Sequence, residues 1–217
     1  MALTLLLGNK NYSSWSMRPY LALAHHKVPF EEIVVPLYEG DYKQAILKYS
    51  PAGKVPVLID GDIAVWESLA ILDHLAEKFP KLALWPADPA ARAYARAISA
   101  EMHAGFAALR QACPMNLKRA PKPIALSPEA VADIARVAQI WNDARKRFGK
   151  GGDFLFGEFS AADCMYAPVA TRFRTYAVEP DPVSAAYVEA IHRLPAFIAW
   201  REAGLKEPWS MKKYDAL

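Results

Sequence analysis

The sequence predicts a two-part fold: a small α/β domain of order βαβαββα over residues 1–79, a linker at 80–88 and a helical bundle over 89–217. Three observations predict it. Short apolar runs alternate with helical patterns through the first eighty residues. Pro80, Pro86 and Pro89 then punctuate a stretch that cannot continue a helix. Beyond them, apolar residues recur at spacings of three and four, and no strand pattern returns.

Taken in order, Leu3 to Leu7 reads as a strand and Arg18 to His26 as a helix, with Asn11 to Pro19 as the junction between them. Glu32 to Val35 and Tyr42 to Lys48 give a second strand and helix. Val57 to Asp60 and Ile63 to Trp66 form a hairpin about Asp60-Gly61, and Ser68 to Phe79 is the third helix. In the second part, Tyr94, Ile98, Met102, Phe106, Leu109 and Cys113 mark one face of a single long helix. The next helix opens on Ser127 as N-cap and Pro128 at its first position. It buries Val131, Ile134, Ala138, Trp141 and Phe148 and stops at Gly149. Ser160-Ala161-Ala162-Asp163 is a capping box with Asp in the usual place of Glu or Gln. Pro168, inside that helix, removes the hydrogen bond to the Cys164 carbonyl at a cost of about 3 kcal/mol, so a kink is expected. Tyr187 to His192 and Pro195 to Gly204 are shorter helices, and the tail from Trp209 through Lys212-Lys213 is expected to fold back over the bundle.

Composition narrows the function. Of 217 residues, 53% are apolar and 23% charged, as in an ordinary globular protein. Lys and Arg number 26 against 23 Asp and Glu, a net charge of +3 with no basic arm, so nucleic acid is not an expected partner and small anions are. The opening Met1 to Leu7 lacks the pattern of a secretory leader, and no apolar run reaches membrane-span length. Cys113 and Cys164 have neither CxxC nor metal-ligand spacing, so no metal and no disulfide framework are expected, and a reducing cytoplasm fits.

Three short segments carry chemistry. In Asn11 to Pro19, a Ser hydroxyl at a strand-to-helix junction can donate to an anion that the helix N-terminus also favours, or simply cap the helix. Before the third strand, Lys54-Val55-Pro56 would leave the Val55 backbone free to pair with an extended peptide if the proline were cis. Glu67-Ser68 opens the third helix, where Glu67 can hold an ammonium and Ser68 with first-turn amides a carboxylate; ordinary helix-start polarity explains it equally. Together they describe a site for one molecule with an amino-acid head, a peptide backbone and a thiol.

With SSWSMRPYLAL, KVP, WES, the proline linker, the long helix and S-x-x-D in this spacing, the chain resembles the glutathione transferase family over nearly its whole length. The opening motif is similar to the serine motif of the zeta class and related bacterial enzymes. The resemblance implies a thioredoxin-like first domain, glutathione as co-substrate, a cytoplasmic homodimer and a small electrophile as second substrate. It implies that Ser13 activates the thiol, with Ser14 as the rival, and that Pro56 is cis. Val55 would pair with the cysteinyl backbone, Glu67 and Ser68 hold the γ-glutamyl group, and Lys54 meet the glycyl carboxylate. Ser160 and Asp163 match a structural motif. Trp15 departs from the zeta pattern, which has cysteine there, and argues against zeta-type isomerisation and cysteine-based thiol transfer.

A free thiol with pKa near 8.5 is only a few per cent ionised at neutral pH, so the implied task of the site is to stabilise the thiolate. The second substrate is expected against the long helix, near Met102, His103, Phe106 and Arg110. Arg172, Phe173, Arg174 and Tyr176 are placed to bind an acidic group. Met102 and Phe106 fit plain core as well, and the arginines fit a solvated basic face. Two alternatives to a transferase stay open: a glutathione-dependent isomerase of a small diacid, similar to maleylacetoacetate isomerase, and a noncatalytic glutathione-binding module.

Overall fold

The computed structural model describes residues 3–216, so Met1 and Ala2 of the opening apolar run lie outside the described residues. Four strands, β1 (Leu3–Gly8), β2 (Phe30–Val35), β3 (Val57–Asp60) and β4 (Ile63–Trp66), form one mixed sheet in the order β2-β1-β3-β4. β1 pairs parallel with β2, Leu3 opposite Phe30, and antiparallel with β3, Leu3 opposite Asp60. Parallel pairing requires a crossover, which α1 (Ser14–His25) supplies. β1 is buried on both faces, hence leucine at four of its six positions, Leu3, Leu5, Leu6 and Leu7. Leu3, Leu5 and Leu7 join the main core with Met17, Leu21, Ile71 and Leu72. Leu6 points the other way and packs with Val35, Ile46 and Val57. α2 (Tyr42–Leu47) and α3 (Ser68–Lys78) complete the α/β part.

A short 3-10 turn at Pro80–Leu82 leads to the helices α4 (Pro89–Ala104), α5 (Ala107–Ala112), α6 (Pro128–Phe148), α7 (Ala161–Thr175), α8 (Pro182–Arg193), α9 (Pro195–Lys206) and α10 (Lys212–Asp215). α7 is the axle: nearly every residue in it is buried, and it packs against α1, α4 and α8. At its side the fully buried Trp141 meets the rings of Tyr166, Phe173 and Tyr187. Burying an aromatic of this size contributes roughly 1.5–3 kcal/mol. Asp163, fully buried at the start of α7, accepts hydrogen bonds from the Ser160 and Leu155 amides and the Ser160 hydroxyl. Burial pushes its carboxyl up to about 6, against these hydrogen bonds.

The structure corrects the sequence reading in four places. α1 begins at Ser14, not Arg18, because the Asn9 carbonyl accepts from both the Tyr12 and Ser13 amides and closes the turn early. Pro19 therefore lies inside the helix. The single long helix is two: it stops at Gly105, Phe106 takes a left-handed backbone (φ 56°), and Asp133 accepts from the Leu109 amide of the new helix. A β-carbon at Gly105 would sit 2.8 Å from the Glu101 carbonyl, so the break needs glycine. On α6 the buried stripe is Val137, Ile140, Trp141 and Ala144, while Val131 is 52% exposed. Finally, the tail docks on the β1–α1 loop, through Tyr12 and Asp215, as well as on Asn116 of the helical part.

Removing the Asp163 carboxylate strands buried donors. Asp163→Ala should lower stability by about 1–3 kcal/mol in urea unfolding, with the native far-ultraviolet circular dichroism preserved below the transition.

Candidate active site at the junction of the two parts

Gly8 ends β1 where a β-carbon would come 2.6 Å from Leu37 and 3.2 Å from Ser13, so the chain can turn tightly into α1. Three serines follow. Ser16 Oγ accepts from the Gly8 amide at 3.0 Å and from Ser13 Oγ at 2.8 Å. Ser14 Oγ accepts from an Arg172 Nη at 3.2 Å, and Arg172 Nε donates to the Cys113 carbonyl at 2.8 Å. Ser13 and Ser14 both line a cavity of about 780 Å³, and their hydroxyls stand at the N-terminus of α1, where the helix dipole favours an anion.

A second cavity of about 370 Å³ adjoins it, lined by Trp15, Lys54, Val55, Pro56, Trp66, Glu67, Ser68 and His103. Trp15, Lys54 and Val55 line both. The Val55–Pro56 peptide is cis. Glu67 precedes α3 with φ 67° and ψ 122°, a backbone conformation that costs a non-glycine residue about 1–3 kcal/mol. Strain of this kind, maintained by its surroundings, marks a residue whose placement matters. His103 Nε2 lies 3.4 Å from the Glu67 carboxylate. Burial holds its imidazole below its usual range, with Arg18 and Arg110 adding to the effect and Glu67 opposing it.

Positive charge collects between the cavities without a carboxylate to balance it. Arg18 is fully buried; its Nε donates to the Met165 carbonyl, and its guanidinium carbon lies 3.8 Å from the centre of the Trp15 ring. Among the described residues, both Arg18 Nη atoms, one Arg172 Nη and Arg110 Nε have no hydrogen-bond partner. No ion pair joins Arg18, Arg110 or Arg172 to an acid among the described residues. Burial, and then repulsion from its arginine neighbours, drives the Arg18 pKa well down, and burial with Arg110 brings Arg172 to about 10. Such a cluster attracts an anion.

The sequence candidates therefore divide. Ser13, Ser14, Lys54, Val55, Arg110 and Arg172 meet at the larger cavity. Pro56, Glu67, Ser68 and His103 meet at the smaller, so His103 stands with Glu67 and not beside the larger cavity. Met102, Phe106 and Phe173 are core, and the buried Tyr176 hydroxyl donates to the Pro114 carbonyl; none of the four lines either cavity. Arg174 faces outward and pairs with Glu189. Tyr12, Tyr38, Tyr42, Met115, Met211 and Tyr214 line the larger cavity without having been singled out. Tyr12 stood inside the serine motif, but nothing in the sequence signalled the tail. There Asp215 accepts from the Tyr12 hydroxyl at 2.8 Å and from Asn116 at 2.9 Å, and the Met211 amide donates to Tyr12 at 3.1 Å. Glu207 accepts from the Lys10 and Asn11 amides.

Comparison with known proteins places this geometry. The glutathione S-transferase N-terminal domain model matches residues 12–78, and the C-terminal domain model residues 117–203. A probable maleylacetoacetate isomerase of Caenorhabditis elegans is 31% identical over 192 residues, 86% of this chain and 88% of its own. A Burkholderia glutathione transferase homologue, solved with bound glutathione, superposes with a TM-score of 0.73 at 23% identity, over 95% of this chain and 100% of its own. The holo structure of maleyl pyruvate isomerase, described as a bacterial zeta-class glutathione S-transferase, superposes at 0.72 with 25% identity, over 96% and 100% of the two chains. The chain belongs to the glutathione S-transferase family.

Neither thiol is available for chemistry. Burial raises Cys113 to about 11 and Cys164 well above its ordinary value. At pH 8 a pKa near 11 leaves roughly one thiol in a thousand ionised. Ellman's reagent should react with neither cysteine in the native protein at pH 8 and with both after unfolding in urea. For Cys113, reactivity in the native state should rise only as the pH approaches 11.

Proposed function

We propose that this protein is a glutathione transferase in which residues 1–79 bind glutathione, residues 89–217 bring Arg110, Met115, Arg172 and Tyr214 to the second-substrate pocket and residues 80–88 are the linker. The observation that carries the reading is that Lys54 and Val55 line both cavities, with the serines at one end of the shared surface and Glu67-Ser68 at the other. An extended tripeptide spans that arrangement. Its γ-glutamyl ammonium meets Glu67 and its carboxylate Ser68 and the first amides of α3; its cysteinyl backbone pairs with Val55 beside the cis proline; its glycyl carboxylate meets Lys54. The sulfur then lies before Ser13 and Ser14.

The work of the site is to hold the thiol as thiolate. Each unit by which its pKa falls corresponds to about 1.4 kcal/mol. Ser13 donates to the sulfur once its hydroxyl turns away from Ser16, which keeps the Gly8 amide as a partner. Ser14, whose oxygen already accepts from Arg172, brings the guanidinium field close to the same point. The thiolate attacks an electrophilic carbon in the larger cavity, and holding both reactants side by side adds the proximity term.

A second reading has its own observation. The unpaired donors of Arg110 and Arg172 beside the larger cavity suit an acidic substrate, as an isomerase of a small unsaturated diacid requires, and the Caenorhabditis elegans relative bears such a name. In that chemistry the thiolate adds to the double bond, the single bond so formed rotates, and elimination returns the thiolate. We place the protein in the cytoplasm as a homodimer, as the family resemblance implies.

Two measurements test the proposal. Glu67→Ala should weaken glutathione binding at least about tenfold by calorimetry, since a charge-assisted contact is lost; an unchanged affinity would remove Glu67 from the head-group site. Ser13→Ala should raise the pKa of the bound thiol, read from thiolate absorbance against pH, and lower turnover roughly ten- to a hundredfold. A shift confined to Ser14→Ala would transfer the contact to Ser14.

A further inference from the structure

Trp15 lines both cavities, together with Lys54 and Val55. It is held from three sides. Arg18, buried and anchored on the Met165 carbonyl, stacks on the ring at 3.8 Å; Arg110 lies 5.4 Å from its centre; His103 meets it edge-on at 5.3 Å. These contacts come from α1, α4 and α5 together, so the indole is a fixed surface. A bare indole face is electron-rich, but a cation stacked on the ring offsets that charge. Arg110 and Arg172 line the larger cavity, and among the described residues neither is paired with an acid.

We propose that Trp15 is a specificity-determining residue that selects planar, conjugated electrophiles carrying a carboxylate, the plane lying on the arginine-clamped indole and the carboxylate reaching Arg110 and Arg172. The inference rests on the transferase reading and names its substrate class. A flexible aliphatic acid satisfies the arginines but leaves the indole uncovered. A neutral arene covers the indole but leaves Arg110 and Arg172 at the cavity without an anion. For an aryl chloride, the glutathione thiol first loses its proton to solvent. The thiolate then forms the S–C bond at the chlorine-bearing ring carbon, and the C–Cl bond breaks with chloride leaving on the bonding pair.

Three probes that all release chloride separate the contributions: 4-chloro-3,5-dinitrobenzoate, its neutral carboxamide and 2-chloropropionate, each corrected for its own uncatalysed rate with glutathione. The unmutated enzyme should favour the benzoate over the carboxamide by about tenfold or more in kcat/KM. In Trp15→Leu the benzoate-to-chloropropionate ratio should fall about tenfold, and Trp15→Phe should retain most of it. As a second check that needs only Trp15→Phe to fold, unreactive 3,5-dinitrobenzoate should quench, in the unmutated protein, the fluorescence component that Trp15→Phe removes. A ratio unmoved in Trp15→Leu, or no quenching of that component, would overturn the inference while bound glutathione still shows its thiolate absorbance. If the unmutated protein forms no thiolate with bound glutathione, the transferase reading fails, and this inference with it.

Discussion

The site depends on two buried guanidiniums that tie the start of α1 to α7. Arg18 reaches the Met165 carbonyl and Arg172 reaches Ser14 and the Cys113 carbonyl, so the β1–α1 turn of the α/β part is fastened to the central helix of the bundle. Hydrogen bonds from charged donors are roughly twice as strong as neutral ones, and they fix direction as well as distance. The serines consequently face a surface built from both parts of the chain. Without this fastening, Ser13 and Ser14 would sit on a loop whose position relative to Arg110, Met115 and Tyr214 nothing else determines so closely.

The same contacts carry an energetic burden. Arg18 and Arg110 lie against Trp15, with Arg172 near enough to repel both, and none has a paired acid among the described residues; buried unpaired charge is among the most destabilising features a fold can hold. The left-handed Glu67 adds backbone strain a short distance away. Both sit at or beside the cavities, while in the bundle Trp141 packs against the uncharged rings of Tyr166, Phe173 and Tyr187. Positive charge gathered at a cavity without a paired acid is what a site prepared for an anion looks like, since ligand binding relieves a cost already present in the folded chain.

Two irregularities shape the larger cavity. The break at Gly105-Phe106 turns α5 away from the line of α4, so Arg110 reaches the cavity while Met102 and Phe106 stay in the core. The tail, held by Glu207 on the Lys10 and Asn11 amides and by Asp215 on Tyr12, brings Met211 and Tyr214 to the rim. Each is a long-range arrangement: Tyr12 and Asp215 lie 203 residues apart in the chain.

The sequence by itself determined what local chemistry determines. The leucine run of β1, the Asp60-Gly61 hairpin, the Ser127-Pro128 helix start and the Ser160–Asp163 box are visible because turn geometry, capping and apolar period act within a few residues. The serine motif, Lys54-Val55-Pro56 and Glu67-Ser68 were legible as a set for the same reason: each lies at the junction of a strand or helix, where exposed backbone groups are predictable. Tertiary structure alone decided the rest. Periodicity could not show that a glycine carbonyl contact would divide one helix into two, since the apolar spacing continues unbroken across Gly105. It could not separate Arg172, drawn inward to Ser14, from Arg174, two residues on and paired outside with Glu189, because that choice rests on which side of α7 faces α1. Nor could it place His103 beside Glu67 or the tail beside Tyr12, since those neighbours are chosen by how the bundle docks on the sheet, and docking is set by packing summed over the whole interface.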